Sequence, residues 1–237
     1  MAADARPADW RQAAAAAPCF RRLIEDILSR APLQERTLGR FLAEQNADYW
    51  QRAEAATGDL LAVLRARRSD AAALAAGFLQ VCEDMRNEQV DFLRTGRYRP
   101  ASAKAAQQAV YQDDRIMGPY MLGVAVSQFL WPNHYAMYDL FLSGCAEMTE
   151  VRRYLEIGPG HGLFLLSAMR RFRGASFDAI DISPTSLALS QELVAAALPG
   201  SGCRFSLGDA ATLSPMAPCD CITMGEVLEH VDRPREV

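Results

Sequence analysis

Three glycines at alternate positions, Gly158, Gly160 and Gly162, follow an apolar segment that contains Glu156. Glycine is needed where the backbone takes a positive φ or comes close to a ligand. An amphipathic run, Leu163–Phe172, comes next, so the segment predicts a strand, a tight turn and a helix. Such a turn aims the free N–H groups at the start of the helix toward whatever lies above the sheet.

The glycine spacing distinguishes two classes of nucleotide site. In the dinucleotide-binding fingerprint the third glycine lies three residues after the second. Here that position is Leu163, so a nicotinamide or flavin site would lack the glycine that packs helix against strand. The pattern is instead Glu156 followed by G-x-G-x-G.

Carboxylates follow the next apolar segments. Asp181 ends a predicted buried strand and precedes Ser183-Pro184, which suits the start of a helix. An acid at this position can accept hydrogen bonds from both hydroxyls of a ribose. Asp209 and Glu226 follow two further apolar segments. Structural roles are the alternative, because Asp181 could cap a helix and Asp209 could belong to a turn.

In this order and spacing the four segments resemble the class I S-adenosylmethionine-dependent methyltransferases, over residues 152–237. The resemblance implies a Rossmann-like α/β fold, in which helices sandwich a parallel sheet, and S-adenosylmethionine as the cofactor. It also implies that Asp181 holds the ribose, that Asp209 faces the adenine amine, and that the loop after the fourth strand flanks the methionine part. The cofactor-binding residues that it implies are Glu156, Gly158, Gly160, Gly162, Asp181, Ile182, Asp209, Ala210, Gly225 and Glu226.

The elements that precede this domain are predicted to be helical. From Cys19 onward, apolar residues recur at three- and four-residue spacing, with charged residues on the opposite face. We expect a disordered or frayed N-terminus at residues 1–16, an all-helical cap or substrate domain at 17–150, and the cofactor domain at 151–237. In methyltransferases with such a cap the junction lies over the cofactor, as the resemblance implies.

Several boundaries within the cap can be predicted. Thr37 is expected to cap a helix that runs on to Gly58, where it is broken or bent. A shorter helix is predicted at residues 101–113. Pro132 should end the preceding helix, and Asn133 can cap the next one.

Polar and aromatic side chains gather at the junction, in residues 129–141. Tyr135 and Tyr138 are three residues apart and share a helix face. A ring beside a cationic sulfur gains roughly 0.5–2 kcal/mol from cation–π attraction, and ordinary core packing is the alternative. His134 is predicted to be a base or a substrate-orienting group, whereas His161 is expected to contribute only its backbone. The catalytic candidates are therefore His134, Tyr135 and Tyr138.

The resemblance also implies a sheet of seven strands in the order 3-2-1-4-5-7-6. This sequence supplies the first four, near residues 153–157, 176–181, 203–207 and 219–224. The fourth strand would then be a bare hydrophobic edge, which favours aggregation. We therefore expect that the C-terminal strands are missing because the sequence is a fragment, or that another chain completes the sheet.

Composition limits the partners and the compartment. With 25 Lys and Arg against 29 Asp and Glu, the net charge is −4, which disfavours a nucleic-acid surface. No run of about 18 apolar residues exists, so no membrane span is expected. The six cysteines show no C-x-x-C pair, so we predict no metal, reduced thiols and a cytoplasmic protein. A homo-oligomer is compatible with the sequence.

The predicted activity is methyl transfer from S-adenosylmethionine to a small molecule in biosynthesis, with the cap forming the acceptor pocket. An alternative uses another carbon of the same cofactor. Residues 127–135 also resemble enzymes that cyclise S-adenosylmethionine to azetidine-2-carboxylate and methylthioadenosine. A further alternative is a non-catalytic S-adenosylmethionine-binding module.

Overall fold

The computed structural model describes residues 9–97, 114–209, 217–231 and 235. Helices form the described part before residue 148, and a parallel sheet with its own helices forms the part after residue 152. This arrangement confirms the predicted fold class, an α/β sheet flanked by helices that follows a helical region.

The helical region has one short helix and a series of longer ones. These are α1 (Trp10–Ala13), α2 (Pro18–Arg30), α3 (Glu35–Ala43), α4 (Ala47–Ala66), α5 (Ala72–Thr95), α6 (Asp114–Leu130) and α7 (Pro132–Glu147). None of the helices in the described residues is long and apolar enough to cross a membrane.

The sheet has four parallel strands in the order β3-β2-β1-β4. They are β1 (Arg153–Ile157), β2 (Ser176–Asp181), β3 (Cys203–Leu207) and β4 (Cys221–Met224), and the crossover helices are α8 (Leu163–Arg171) and α9 (Pro184–Ala197). The strands lie close to their predicted positions, because each is an apolar run with a clear polar or glycine boundary. Since parallel strands end at one edge of the sheet, the glycine turn, Asp181 and the 225–226 loop all follow strand ends on that edge.

The largest apolar core joins the helical region to the helices of the sheet. It contains Tyr49 and Phe129 from the helical region together with Phe164 of α8 and Leu189 of α9. Full burial of one such side chain contributes roughly 1.5–3 kcal/mol. Because this core contains residues from both sides of the junction, the predicted domain boundary at residue 150 stays a prediction.

Helices α5 and α6 cross at Gly77 and Gly123, where their backbones touch. A Cβ atom built on Gly77 would lie 2.6 Å from the carbonyl oxygen of Pro119. A Cβ atom built on Gly123 would overlap the carbonyl group of Gly77. Backbone atoms cannot move aside as the end of a flexible side chain can, so both positions require glycine. The crossing fixes where α6 lies, and α6 reaches the glycine turn.

Of two predicted boundaries in the first helices, the cap at Thr37 is wrong, and at Gly58 a break is wrong whereas a bend stays a prediction. Thr37 lies inside α3, and the cap of α4 is Asn46, whose Oδ1 accepts a hydrogen bond from the backbone N–H of Tyr49 at 2.9 Å. α4 also continues through Gly58 without a break. The low helix propensity of one glycine, about 1 kcal/mol, is outweighed by the packing of the buried residues on both sides of it.

The structure differs from two further predictions, which concern the start of α7 and the N-terminal residues. Trp131, not Asn133, precedes α7, whose first residue is Pro132, a position where proline loses no helical hydrogen bond. Residues 9–16 are ordered rather than frayed, since Trp10 is buried and its Nε1 donates to Glu35 Oε1 at 3.4 Å. The helix predicted at 101–113 lies outside the described residues.

Candidate functional site

The turn after β1 has the backbone conformation that its glycines predict. The φ angles of Gly158, Gly160 and Gly162 are 68°, 54° and 82°, in the left-handed region that favours glycine. The N–H of Gly158 donates to the carbonyl oxygen of Ile180 at 2.7 Å, which ties the turn to β2.

The three glycines differ in what surrounds them. A Cβ atom on Gly158 would lie 2.5 Å from Val227 Cγ2, and one on Gly162 would lie 2.9 Å from the Cα of Ser190. Among the described residues, a Cβ atom on Gly160 would meet Met121 Sδ, at 3.5 Å, and its own loop's carbonyl. Gly160 is therefore the least crowded of the three positions, and a side chain rather than backbone covers it.

Asp181, at the end of β2, holds the turn from the other side. Its Oδ2 accepts a hydrogen bond from the N–H of Gly160 at 3.2 Å, and its Oδ1 accepts one from Ser183 at 2.8 Å. Burial raises the pKa of this carboxyl group, and these backbone hydrogen bonds oppose the rise. The N-cap of α9 is Ser183, whose Oγ accepts a hydrogen bond from the N–H of Ser186 at 3.2 Å, so Asp181 does not have the capping role that was the structural alternative. Backbone N–H groups of Ser183, Gly160 and Ile182 act on the Asp181 carboxylate, and since a carboxylate has about four acceptor sites, a ribose hydroxyl could also bind.

Glu156 lies in a buried network between β1 and β4. It is 3% exposed, and its Oε2 accepts a hydrogen bond from the Tyr154 hydroxyl at 2.8 Å, while that hydroxyl lies 2.8 Å from Thr223 Oγ1. Burial raises the pKa of Glu156 to about 8, and the charge of Asp181 adds to the rise. Besides Tyr154, the backbone of Leu165 in α8 hydrogen-bonds to Glu156, so a direct contact of Glu156 with a cofactor stays a prediction.

The other predicted cofactor residues follow the strand ends. The N–H of Gly208 donates to the backbone oxygen of Asp181 at 2.9 Å, which places exposed Asp209 beside the end of β2. Ile182 is half-buried in the same loop. A Cβ atom on Gly225 would meet no other described residue within 4 Å, and Ala210 lies outside the described residues.

His134, in the first turn of α7, reaches the end of β4. Its Nδ1 lies 2.8 Å from Ser127 Oγ, and its Nε2 lies 3.9 Å from Glu226 Oε1. Burial lowers the pKa of His134, and the charge of Glu226 opposes this change. The structure thus brings the predicted base from the helical region to the edge of the sheet that carries the glycine turn.

Glu226 has an uncommon backbone conformation for a residue with a side chain. Its φ is 52°, in the left-handed region, which costs roughly 1–2 kcal/mol for a residue other than glycine. Its side chain is 44% exposed, and its charge raises the pKa of Tyr120 in addition to the effect of burial.

The side chain of His161 has a role that the sequence prediction missed. Its Nδ1 accepts a hydrogen bond from the backbone N–H of Leu163 at 3.1 Å, so the ring caps the start of α8. Burial, and to a smaller extent the charge of His134, lower the pKa of His161 to about 3. His161 is therefore a neutral ring beside His134 rather than only a backbone contact.

Tyr135 lies against the helical region. Its hydroxyl accepts a hydrogen bond from Arg52 Nη1 at 3.3 Å, and its ring centroid is 4.8 Å from that of Tyr49. Arg52 also pairs with Asp139. These contacts fit the alternative of ordinary packing, and a catalytic role for Tyr135 stays a prediction.

Tyr138 is also engaged within the fold. Its hydroxyl lies 2.7 Å from Ser167 Oγ, and its ring packs against Phe129 and Phe164. It lines a cleft of about 390 Å³ between α4, α7 and α8, whose lining contains neither the glycines nor Asp181 nor His134. A catalytic role for Tyr138 likewise stays a prediction.

Three residues at the site were not predicted from the sequence. Met121 and Val227 cover the glycine turn, and Ser127 contacts His134. Ser127 precedes His134 by seven residues, but the two lie on different helices across a break at Trp131. Helical periodicity therefore gives no signal for their contact. Met121 reaches Gly160 only because the crossing of α5 and α6 holds α6 over the sheet.

Residues 155–237 match the family model for a methyltransferase domain. This part of the chain is similar to methyltransferase domains. It starts in β1 and contains the glycine turn, Asp181, Asp209 and Glu226, so the recognised family and the predicted site coincide. No curated protein sequence matches the chain.

One solved structure similar to the chain is that of the mitomycin 7-O-methyltransferase MmcR. The TM-score is 0.47 and the identity is 16%, over 95% of this chain and 71% of that one. Similarity at this level carries no argument about the methyltransferase domain, which rests on the family match and on the geometry at the strand ends.

Proposed function

We propose that the chain transfers a methyl group from S-adenosylmethionine to a small-molecule acceptor. The observation that carries the proposal is the convergence, at one edge of the sheet, of the glycine turn, Asp181 and the pair formed by His134 and Glu226. A binding loop, a ribose-binding acid and a base are the parts that such a transfer requires.

The residues at the strand ends fit this cofactor. Gly160 is the least crowded glycine of the turn, and Asp181 would hold the ribose with the acceptor sites that its backbone contacts leave unused. Asp209, beside it, would face the adenine. When bound, S-adenosylmethionine supplies a methyl carbon on a cationic sulfur. Alignment of an acceptor with that carbon can contribute about 7–11 kcal/mol to the lowering of the barrier.

His134 would remove the acceptor's proton. Because burial lowers its pKa, the imidazole is neutral at pH 7 and can take a proton from a hydroxyl or an amine. A positioned base of this kind typically contributes 10²–10⁴-fold. The helical region, which carries His134, would form the acceptor pocket and limit the access of water.

A binding titration tests the cofactor assignment. Asp181→Ala is expected to weaken S-adenosylmethionine binding roughly tenfold to a hundredfold, since a hydrogen bond to a charged group contributes about 1.5–3 kcal/mol. Glu192→Gln is the matched control, because this acid is exposed on α9 and pairs with Arg67, away from the turn. Asp181→Asn keeps one acceptor oxygen and covers the case in which the alanine variant does not fold. Equal affinity of the wild type and a folded Asp181 variant would contradict the assignment.

Product analysis tests the reaction. The protein is incubated with S-adenosylmethionine alone and then with a panel of small hydroxyl and amine compounds. S-adenosylhomocysteine that forms only with an acceptor supports methyl transfer. Methylthioadenosine that forms without an acceptor would overturn it in favour of cyclisation. Binding with neither product would overturn it in favour of a binding module.

A further inference from the structure

Ser127 is a buried hydroxyl at the junction between α6 and α7. It is fully buried, and its Oγ has two close polar neighbours. One is the carbonyl oxygen of Val124 at 2.7 Å, one turn earlier on the same helix, and the other is His134 Nδ1 at 2.8 Å.

The first contact determines the direction of the second. A hydroxyl group has one proton, and a carbonyl oxygen can only accept. The bond to Val124 therefore uses the proton of Ser127, as is common for serine within a helix. The lone pairs of Oγ then accept a hydrogen bond from His134, so Nδ1 of the neutral ring carries the proton and Nε2 carries the lone pair.

We propose that Ser127 is a positioning residue that fixes His134 in the Nδ1–H tautomer and so makes Nε2 the atom that accepts the substrate's proton. The inference rests on the proposed function and deepens it. It assigns the role of each ring nitrogen and adds a residue to the site that does not touch the substrate.

The surroundings of Nε2 agree with this assignment. Glu226 Oε1 lies 3.9 Å from Nε2, which is too long for a hydrogen bond to the neutral ring. Once Nε2 is protonated, the imidazolium donates to Ser127 from Nδ1 and lies beside a carboxylate at Nε2. The other titratable group that acts on His134 is His161, which is neutral because burial lowers its pKa to about 3.

The proton and the electrons balance in the step. The acceptor's O–H or N–H bond breaks, its proton moves to Nε2, and its electron pair forms the new bond to the methyl carbon. The bond between that carbon and the sulfur breaks with both electrons left on sulfur. His134 then returns its proton to solvent past the exposed carboxylate of Glu226.

His161 provides an internal reference for the test. Its Nδ1 accepts a hydrogen bond from the backbone N–H of Leu163, so a neutral His161 carries its proton on Nε2. The chain therefore has two neighbouring neutral histidines with opposite expected tautomers. Nitrogen NMR of the protein labelled with ¹⁵N-histidine distinguishes a protonated ring nitrogen from an unprotonated one.

The closing experiment records these spectra for the wild type without cofactor, with His134→Gln to assign the signals. The expected result is an unprotonated Nε2 for His134 and an unprotonated Nδ1 for His161. Ser127→Ala should shift His134 toward the Nε2–H form and lower kcat roughly tenfold, less than the loss of the base itself. The KM for S-adenosylmethionine should not change, and Ser127→Thr, which keeps the hydroxyl, should restore the wild-type tautomer.

A wild-type His134 with its proton on Nε2 would overturn the proposal, and so would a Ser127→Ala variant with unchanged tautomer and kcat. The wild-type spectrum decides the tautomer even if Ser127→Ala does not fold. Because the spectrum needs neither cofactor nor turnover, it separates this proposal from the proposed function, whose failure appears in the titration and in the product analysis.

Discussion

Glycine has different physical roles in the two halves of this molecule. At the crossing of α5 and α6, Gly77 and Gly123 have ordinary helical conformations, and what excludes a side chain there is the opposing backbone. In the turn after β1, Gly158, Gly160 and Gly162 have positive φ angles, so the conformation itself excludes most side chains. The first requirement concerns contact between helices, and the second concerns the path of the chain.

The difference shows which glycines support the fold and which support the site. At a helix crossing without free space, any added atom lowers the stability of the fold, whatever its chemistry. A turn that needs positive φ angles responds through backbone strain, and where it is least crowded, at Gly160, it can keep its fold while its ligand contacts change. Alanine substitutions at the two places should therefore separate stability from binding.

The largest effect is expected for Gly123→Ala at the crossing. Overpacking typically costs 1–3 kcal/mol, occasionally more, and here the added Cβ would overlap backbone atoms, so we expect a loss of at least about 3 kcal/mol in the free energy of unfolding. Denaturant unfolding gives the value. Gly58→Ala in α4 is the matched control, since nothing lies within 4 Å of its Cβ, and it should gain roughly 0.5–1 kcal/mol. A neutral Gly123→Ala would show that the crossing is not tight.

Within the turn, Gly162→Ala and Gly160→Ala compare a crowded glycine with a less crowded one. Both must adopt a positive φ, at a cost of about 1–2 kcal/mol, but only the Cβ at 162 would press on the backbone, at Ser190 Cα. We expect Gly162→Ala to lose about 2–3 kcal/mol of stability and Gly160→Ala to lose about 1 kcal/mol. For S-adenosylmethionine affinity, measured by titration, the order should reverse, because the N–H of Gly160 donates to Asp181, the predicted ribose-binding acid. The same order in both measurements would mean that the turn acts only through stability.

A pH-dependent effect is expected at the strand ends, where buried ionisable groups lie, and not at the apolar crossing. The pKa of Glu156 is about 8 in the folded protein and about 4.3 when unfolded, so folding favours its protonated form. Stability from this group is complete below about pH 4 and is lost as the pH rises to about 8, by at most about 1.4 kcal/mol per pH unit. Glu156→Gln removes the ionisation. The free energy of unfolding of the variant minus that of the wild type should therefore increase as the pH rises through this window. Unfolding curves at pH 5 and pH 8.5 provide the check, and a difference that stays constant would contradict the raised pKa.

The sequence predicts the sheet better than it predicts the helical region. Each strand is an apolar run bounded by a glycine or an acid, and those boundaries also contain the candidate site, so Gly160 and Asp181 could be identified together. In the helical region, tertiary packing decided the outcome at Gly58, which α4 crosses without a break. The contact between Ser127 and His134 could not be predicted, because it joins two helices across the break at Trp131, and helical periodicity does not give their relative angle.

The hydroxyl of Tyr154 has a consequence for how β4 finds its place. This strand has four residues, and Thr223 lies directly opposite Glu156 in the β1–β4 ladder. A slip of one residue would turn Thr223 to the other face of the sheet and leave the Tyr154 hydroxyl without its second partner. The same slip would move Glu226 away from His134. The side chains of β1 thus favour one register of the short edge strand β4. A shifted register destabilises the protein itself, before any small molecule binds.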